Sequence, residues 1–333
     1  MAPADKAIKP VLSYRLLLRD AAILLALTLV AAAACSLVGV AKLSWPVWTM
    51  RLMRLGMAAT VGAALASAGM ALQALLRNPL AEPYILGVSS GAGVGVLLGS
   101  VLAGTIGLAA WVSTPVLALI GALATCAIVY GIAQRRGRLD PYVLLLSGVI
   151  VNVFNGALML AILLFADPNG VINMVGWGMG MIRDTVSPTL LLVCVVAVVA
   201  GWAALMLRGS SFNALSLGDE VAASVGVAVH YLRVETFGVA ALMTAGAVAL
   251  AGPVGFVGLI VPHLCRLIVG PDHRRLVMYC GLVGAVFLMV ADTLCRTVGE
   301  WVSLGAVPVG IVTALAGGPF FIFLLRRRNR EGA

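Results

Sequence analysis

Residues 141–166 read PYVLLLSGVIVNVFNGALMLAILLFA, an apolar run that contains no Asp, Glu, Lys or Arg. A helix that crosses a bilayer needs about 20 predominantly apolar residues, so this run is long enough to be one. The whole chain has the same character: 62% of its 333 residues are apolar, 11% are charged and the mean hydropathy is +1.09. Soluble domains carry about 25% charged residues. The composition therefore excludes an ordinary soluble enzyme and predicts a polytopic membrane protein.

Similar runs recur along the chain and predict an all-α membrane protein with about ten transmembrane helices in one domain, residues 1–333. The predicted spans are about 21–41, 55–76, 84–103, 111–133, 141–166, 187–207, 234–252, 254–270, 276–297 and 307–325. A short Gly/Met-rich segment between spans 5 and 6 predicts a helix near the membrane interface. The longest polar connection, about 208–231, lies between spans 6 and 7.

Lysine and arginine are distributed unevenly among the predicted loops. If the N-terminus is cytoplasmic, 17 of the 22 cations fall on the cytoplasmic side and 5 on the outside. Cytoplasmic loops carry such an excess of cations, so the distribution places both termini in the cytoplasm. The net charge of +9 is explained by these loops, and we expect the lipid bilayer rather than nucleic acid as the surrounding partner.

Motifs for ATP binding and for metal sites are missing from the sequence. None of the three lysines follows a glycine, so the chain has no P-loop for ATP. His263 and Cys265 stand two residues apart and do not share a helix face. The six cysteines form no C-x-x-C pair and are interpreted as small buried hydrophobes. We therefore expect no enzymatic activity, metal or cofactor in this chain.

The segment 77–95 combines a proline-rich turn with regularly spaced glycines. Pro79 and Pro83 fix φ and disfavour helix in the residue before each, which predicts a tight cytoplasmic turn. Glycines then recur every four residues from Gly87 to Gly99. Such a ridge of small residues lets a second helix approach closely. This packing interpretation is favoured over a nucleotide-binding loop, which needs a preceding strand.

The connection between spans 6 and 7 predicts a short helix outside the membrane. Ser216 and Asp219 have the spacing of a capping box, and Asp219 and Glu220 suit the positive end of the helix dipole. Gly226 is expected to end this helix. Its face of small apolar residues is consistent either with a docking element or with a structural linker, and the spacing alone favours neither.

Four segments resemble the membrane permeases of type II ABC importers, in the same order and spacing. They are residues 78–91, 217–220, 255–266 and 308–321. These importers move iron-siderophores, haem and vitamin B12. The resemblance covers about residues 10–328 and is closest in appearance to haem permeases. It implies ten spans, with spans 2–5 and 7–10 as inverted repeats. It also implies a homodimer in the bacterial inner membrane, two cytoplasmic ATPase chains that hold ATP and Mg, and a periplasmic binding protein.

The resemblance implies roles for particular residues. The helix that couples to the ATPase matches Leu217, Gly218, Asp219, Glu220, Ala222, Ala223 and Gly226. The cytoplasmic gate positions match Asn78 and Leu80 in one turn, and Asp140 and Pro141 in another that departs from the small hydroxyl residues of the vitamin B12 importer. Arg51, Arg54 and Arg296 match positions that bind acidic residues of the binding protein. The alternative, that these arginines reach lipid head groups, stays open.

Span 5 lines the translocation path in this family, and Asn152, Asn155 and Met159 lie near its middle. Polar side chains at this depth normally face the helix bundle or a cavity rather than lipid. We expect these three residues to line the path. The alternative is that both Asn side chains bond to a neighbouring helix.

The predicted function is import of a metal chelate along the dimer axis, with haem favoured over a siderophore or cobalamin because a Met-rich, Gly-rich path suits a flat apolar ring. The alternative is an ion-coupled secondary transporter, which needs an acidic residue near the bilayer centre. The acids inside spans are Asp292, near Arg296, and Glu235, near Arg233. We interpret both as interfacial ion pairs.

Overall fold

A computed structural model describes residues 14–39, 44–106, 114–135, 137–165, 168–182, 187–302 and 307–331. Almost all of these residues are helical, which confirms the predicted all-α class. The α-helices are α1 (Tyr14–Leu37), α2 (Trp45–Leu75), α3 (Val88–Ile106), α4 (Thr114–Ala133), α5 (Pro141–Leu163), α6 (Pro168–Gly178), α7 (Pro188–Leu207), α8 (Gly209–Ser216), α9 (Asp219–Ser224), α10 (Val229–Ala251), α11 (Val257–Val269), α12 (His273–Trp301) and α13 (Val309–Glu331).

Two minor elements complete the described secondary structure. A 3-10 turn covers Pro83–Leu86 and precedes α3. Strands β1 (Gln134–Arg135) and β2 (Arg138–Leu139) pair antiparallel between α4 and α5. They form a short hairpin that returns the chain into α5.

Seven helices in the described part of the chain are long and apolar enough to cross a membrane: α1, α2, α4, α5, α7, α10 and α12. Three shorter apolar segments, Val88–Leu102, Val257–Val269 and Val309–Ile322, lie where the third, eighth and tenth spans are predicted. The eighth is short because glycines and a proline interrupt its N-terminal side. Helix α6 matches the predicted interfacial helix, while the inverted-repeat relation and the side occupied by each terminus stay predictions.

Helix α2 begins at Trp45, about ten residues before the predicted start of span 2. The sequence prediction begins at residue 55 because Arg51 and Arg54 interrupt the apolar run. In the structure both arginines lie within the helix and are buried, at 5% and 4% exposure. Partners elsewhere in the chain accept their hydrogen bonds, so charge inside this helix is tolerated.

Helix α2 is the centre of the bundle, and α10, α11 and α12 pack around it. A Cβ atom at Gly62 would overlap the backbone of Gly284 in α12, and one at Gly69 would overlap the backbone of Gly258 in α11. The helices therefore meet backbone to backbone. Lipid supplies no hydrophobic driving force between helices, so close van der Waals contact of this kind holds the bundle together.

The glycine ridge of α3 packs as predicted. A Cβ atom at Gly91 would overlap Thr125 of α4, and one at Gly95 would overlap the backbone of Leu117. Gly121 of α4 meets the Gly91 carbonyl oxygen from the other side. The packing interpretation of these glycines is confirmed.

Candidate functional site

The polar connection between α7 and α10 folds into α8 and α9. Gly218 separates the two helices with φ +130°, a conformation that few residues other than glycine adopt. Gly226 ends α9 with φ +85°, and the Val227 amide donates to the Ala222 carbonyl oxygen at 3.0 Å, as predicted for a glycine stop. The predicted capping box is wrong: Ser216 is the last residue of α8 and its hydroxyl donates to the Asn213 carbonyl oxygen.

One side of α9 is exposed and carries most of the predicted coupling residues. Leu217 is 72% exposed, and Glu220 and Ala223 are exposed as well. Ala222 is fully buried and packs α9 against the rest of the chain, so this predicted coupling residue is not part of the exposed surface. The exposed side is small and smooth apart from Leu217 and Glu220, which suits close approach by another protein surface.

Asp219, at the first turn of α9, points toward the rest of the chain. Its carboxylate accepts hydrogen bonds from Arg233 of α10 at 2.9 and 2.8 Å. It also forms an ion pair with Arg77, the residue that follows α2 closely. This residue of the predicted coupling set therefore joins α9 to two other parts of the chain.

The turn after α2 holds two of the predicted gate residues. The Arg77 amide donates to the Ala74 carbonyl oxygen and the Asn78 amide to the Gln73 carbonyl oxygen, a pattern that closes a helix end. The Asn78 side chain then accepts a hydrogen bond from the Leu80 amide at 3.0 Å. These contacts stabilise the turn locally and leave its gating role a prediction.

The other predicted gate residues lie at the start of α5. The Asp140 carboxylate accepts hydrogen bonds from the amides of Tyr142 and Val143 at 2.9 and 3.2 Å, and Pro141 occupies the first helical turn. Asp140 is therefore an N-cap and Pro141 is a typical first helical residue. This capping function stabilises the start of α5 locally, and the gating role of the turn stays a prediction.

The two asparagines of α5 bond to neighbouring helices. Asn155 donates to the hydroxyl groups of Ser90 in α3 and Thr125 in α4 at 3.1 and 3.2 Å. Asn152 donates to the Tyr84 carbonyl oxygen and accepts from Ser90 at 2.7 Å. The side-chain amides of Asn152 and Asn155 therefore make the hydrogen bonds between neighbouring parts of the bundle that were the alternative to lining the path.

Two further features of this region concern Ser89 and Met159. Residues 87–91 fit G-x-S-x-G, a pattern of hydrolase nucleophiles, with Ser89 in the nucleophile position, but here a 3-10 turn rather than a strand precedes it. Met159 packs closely against Gly93 of α3, next to Met174 of α6. Its flexible thioether fills the gap between these helices.

A contact that the sequence did not predict joins the turn before α3 to the α10–α11 loop, residues 252–256. The Glu82 carboxylate accepts a hydrogen bond from the Phe256 amide at 2.6 Å, and the Tyr84 hydroxyl bonds both the amide and the carbonyl oxygen of Val254. Burial raises the pKa of Glu82 above its usual range. Phe256 has φ +67°, which is uncommon for a bulky residue.

This contact was missed because the predicted topology puts the two loops on opposite sides of the membrane. The Glu82–Phe256 pair spans 174 positions in sequence. The signal present in the sequence was an acid between two prolines in an otherwise apolar segment, which needs a buried hydrogen-bond donor. Nothing in the local pattern identified that donor.

Three arginines gather where α1 ends and α2 begins. Arg54 forms two hydrogen bonds with Asp292 of α12, at 2.7 and 2.9 Å, and both side chains are at most 5% exposed. Arg51 donates to the Ser36 carbonyl oxygen, and Arg296 donates to the Val38 carbonyl oxygen at 2.7 Å. Asp292 thus pairs with Arg54, and the expected pairing with Arg296 is not what the structure shows.

Arg51 and Arg54 are buried within the chain, so neither presents its guanidinium group openly to a partner protein. Glu235, the other acid inside a predicted span, pairs with Arg208 at 2.7 Å rather than with Arg233. Both in-span acids are ion-paired as expected, although their partners differ. This leaves neither of them as a dedicated site for a coupling ion.

Potential metal ligands are dispersed in the described residues. All six cysteines are free and buried. The ring of His263 packs edge-on against Phe320, at 5.8 Å between centroids. No group of three or more His, Cys, Asp or Glu that could hold a metal ion occurs in the part of the chain that the structure describes.

Comparison with known proteins gives a consistent family. A model of the FecCD transport family matches residues 23–327. The chain is 40% identical to the cobalamin import system permease protein of Halobacterium salinarum, over 85% of this chain and 74% of that protein. It is 36% identical to the hemin transport system permease protein of Yersinia pestis, over 86% and 85%. A solved inward-facing metal-chelate type ABC transporter superposes with a TM-score of 0.81, at 29% identity, over 93% of this chain and 99% of that one.

The buried Arg54–Asp292 pair generates a prediction about stability. Arg54→Met or Asp292→Leu alone leaves one buried charge unpaired and is expected to lower the free energy of unfolding by about 3–5 kcal/mol. The double variant removes both charges and should recover most of that loss. Unfolding in mixed micelles measures all three.

The matched control is Arg208→Gln, which breaks an ion pair whose side chains are 47% and 36% exposed. That variant should change the free energy of unfolding by no more than about 1 kcal/mol. Additive losses in the Arg54/Asp292 double variant would show that the two side chains are not energetically coupled.

Proposed function

Because the chain belongs to the FecCD transport family, we propose that it is the membrane permease of an ATP-driven importer that moves a metal chelate into the cytoplasm. The observation that supports this most directly is the match to that family and to a metal-chelate transporter along nearly the whole chain. It covers the spans as well as α8 and α9. In this proposal the chain has no enzymatic activity of its own and resides in the bacterial inner membrane.

We propose that ATP and Mg are held by two cytoplasmic ATPase chains, each docked on the exposed side of α9. The missing P-loop and the smooth exposed surface of α9 support this arrangement. We also propose that two copies of the chain assemble around a central path. The exposed apolar side of α5, where Val153, Phe154 and Leu160 are 65–71% exposed, supports a second copy.

In the assembled protein, α5 is proposed as a wall of the path. Asn152 and Asn155 then support this wall without contacting the cargo, because their side-chain amides hold α5 against α3 and α4. The turns at Asn78–Leu80 and Asp140–Pro141 are proposed to gate the cytoplasmic end.

The proposed cargo is a metal chelate, with haem as the first ligand to test. The relatives do not favour haem: the cobalamin permease is 40% identical to this chain and the hemin permease 36%. What supports haem is the Met-rich character of the segment around α5 and α6, with Met159, Met174, Met179 and Met181, of which Met179 is 41% exposed. A polarisable, weakly binding surface suits the passage of a flat ring.

Transport by the reconstituted complex tests the function. Liposomes that contain this chain with its ATPase, and with the binding protein added outside, are expected to take up haem only when ATP is present. Cobalamin and a ferric siderophore, offered under the same conditions, test the cargo. Uptake of either in preference to haem would overturn the haem assignment and keep the importer.

A second arm separates the importer from a secondary transporter. The same chain without the ATPase receives a proton or sodium gradient, and no uptake is expected. Gradient-driven uptake by the chain alone would contradict the proposed function.

Assembly with the ATPase tests the docking surface on α9. Ala223→Trp places a large ring on the exposed side and should weaken ATPase retention roughly tenfold, since overpacking an interface costs about 1–3 kcal/mol. Ala223→Ser is the control at the same position and should assemble normally. Equal retention of ATPase by both variants, measured by co-purification, would exclude this side of α9 from the interface.

We also propose that the arginine cluster at the α1–α2 junction meets acidic residues of the binding protein. Arg296 is only partly buried, and Gly39 lies directly against the guanidinium groups of Arg51 and Arg296. Arg54 is neutralised by Asp292 and is buried, so in this proposal it supports the cluster while Arg296 carries the contact. Like charges held close together attract an anionic partner.

Charge reversal tests this docking proposal. Arg296→Glu should weaken capture of the binding protein, and the affinity of the unmodified chain should fall as salt is raised. Arg138→Glu makes the same charge change near α9 and serves as the control. Salt-independent capture that survives Arg296→Glu would favour lipid head groups as the partner of this cluster.

A further inference from the structure

Helix α2 ends in a conformation that glycine adopts more easily than arginine. Arg77 has φ +47°, in the left-handed region, and its amide and that of Asn78 close the helix end. A side chain at this position is unfavourable for the backbone. The Arg77 guanidinium nevertheless has a defined partner, because it forms an ion pair with Asp219 of α9.

Asp219 receives a second guanidinium from the opposite direction. Arg233, in the first part of α10, donates to both carboxylate oxygens at 2.9 and 2.8 Å. The Arg233 side chain is 13% exposed, whereas that of Asp219 is 45% exposed. The carboxylate therefore lies at the surface and is fixed by two cations, one from the turn after α2 and one from α10.

Helix α9 depends on such contacts for its orientation. It spans only Asp219–Ser224 and lies between Gly218 and Gly226, which both have positive φ. Within α9, Ala222 is fully buried. A helix this short is not rigidly held by the chain on either side, so the ion pairs of Asp219 fix its position.

Arg233 also connects α9 to the start of α5. Strand β2, which leads into Asp140 and α5, packs against α10, and the Asp140 carboxylate acts electrostatically on the Arg233 guanidinium of that helix. The same region borders an open groove of about 460 Å³, lined in part by Arg138, Asp219 and Arg233. The turn after α2 and the turn before α5 are thus both linked to α9 through charged side chains.

We propose that Arg77, Asp219 and Arg233 are positioning residues that transmit movement of α9 to the two turns at Asn78–Leu80 and Asp140–Pro141. The inference rests on the proposed function, in which the ATPase moves α9 and the turns gate the path. Both side chains of the Arg77–Asp219 pair are well exposed, so its loss should change coupling rather than folding. Two cations on one carboxylate fix its direction as well as its distance.

Arg77→Gly is the most informative variant, because glycine relaxes the backbone at φ +47° while it removes the guanidinium. The complex that carries it is expected to be at least as stable as the unmodified one and to hydrolyse ATP. The amount of chelate transported per ATP should fall at least about fivefold, the lower end of typical coupling between sites. Asp219→Asn should show the same loss.

Glu235→Gln is the matched control. It breaks the neighbouring Arg208–Glu235 pair, which is comparably exposed but does not reach either turn. This variant should transport the same amount of chelate per ATP as the unmodified complex. If Glu235→Gln and Arg77→Gly lower the ratio equally, the effect is a general consequence of lost charge and the link is refuted.

A distance measurement on the complete permease gives a readout that does not need transport. Spin labels at Ser224→Cys and Tyr142→Cys, both exposed positions, report the separation of α9 from the start of α5 when the labelled chain is assembled with an excess of unlabelled chain. One narrow distance distribution is expected, and Arg77→Gly and Asp219→Asn should broaden it while Glu235→Gln does not. Unchanged distributions in both test variants would overturn the link.

The two kinds of failure remain distinguishable. If the unmodified complex moves no chelate with ATP, the proposed function fails, and the spin-label distances still decide whether the three residues position α9. If it transports and the two test variants couple normally, the function stands and the link fails.

Discussion

The bundle depends on the close approach of α2 to α11 and α12. Lipid is as apolar as a leucine side chain, so apolar surface alone gives these helices no reason to associate. Contact at Gly62–Gly284 and Gly69–Gly258 brings backbones together and allows many weak dispersion contacts to form along each pair. Larger side chains at these positions would separate the helices. The remaining elements are arranged around this buried helix.

Close packing also decides which charges the bundle can accept. Arg54 lies inside α2 because Asp292 reaches it from α12 with two hydrogen bonds. Either charge alone would be costly in this environment, whereas the pair is neutral and hydrogen-bonded. Because Asp292 is occupied by this pairing, it is not available to bind a transported ion. Arg54 therefore has a structural role.

The helix bundle and the α9 region are built on different principles. Around α2 and α3, glycines and buried apolar side chains hold the helices together. Around α9, ion pairs between partly exposed side chains hold a helix of six residues between two glycines. Exposed ion pairs exchange partners at low free-energy cost, whereas a packed glycine contact does not. The contacts of α9 therefore break more easily than those within the bundle, which agrees with the proposed docking of an ATPase at α9.

The sequence by itself determined the class, the approximate position of each apolar helix, the stop at Gly226 and the packing of the α3 glycines. These follow from local composition, hydrophobic periodicity and backbone preference. It also carried the motifs that resemble the FecCD family. Tertiary structure decided the earlier start of α2, the buried side of Ala222 and the partners of both α5 asparagines. It alone paired Glu82 with Phe256 and Asp292 with Arg54, because a partner 174 or 238 positions away is set by how helices pack.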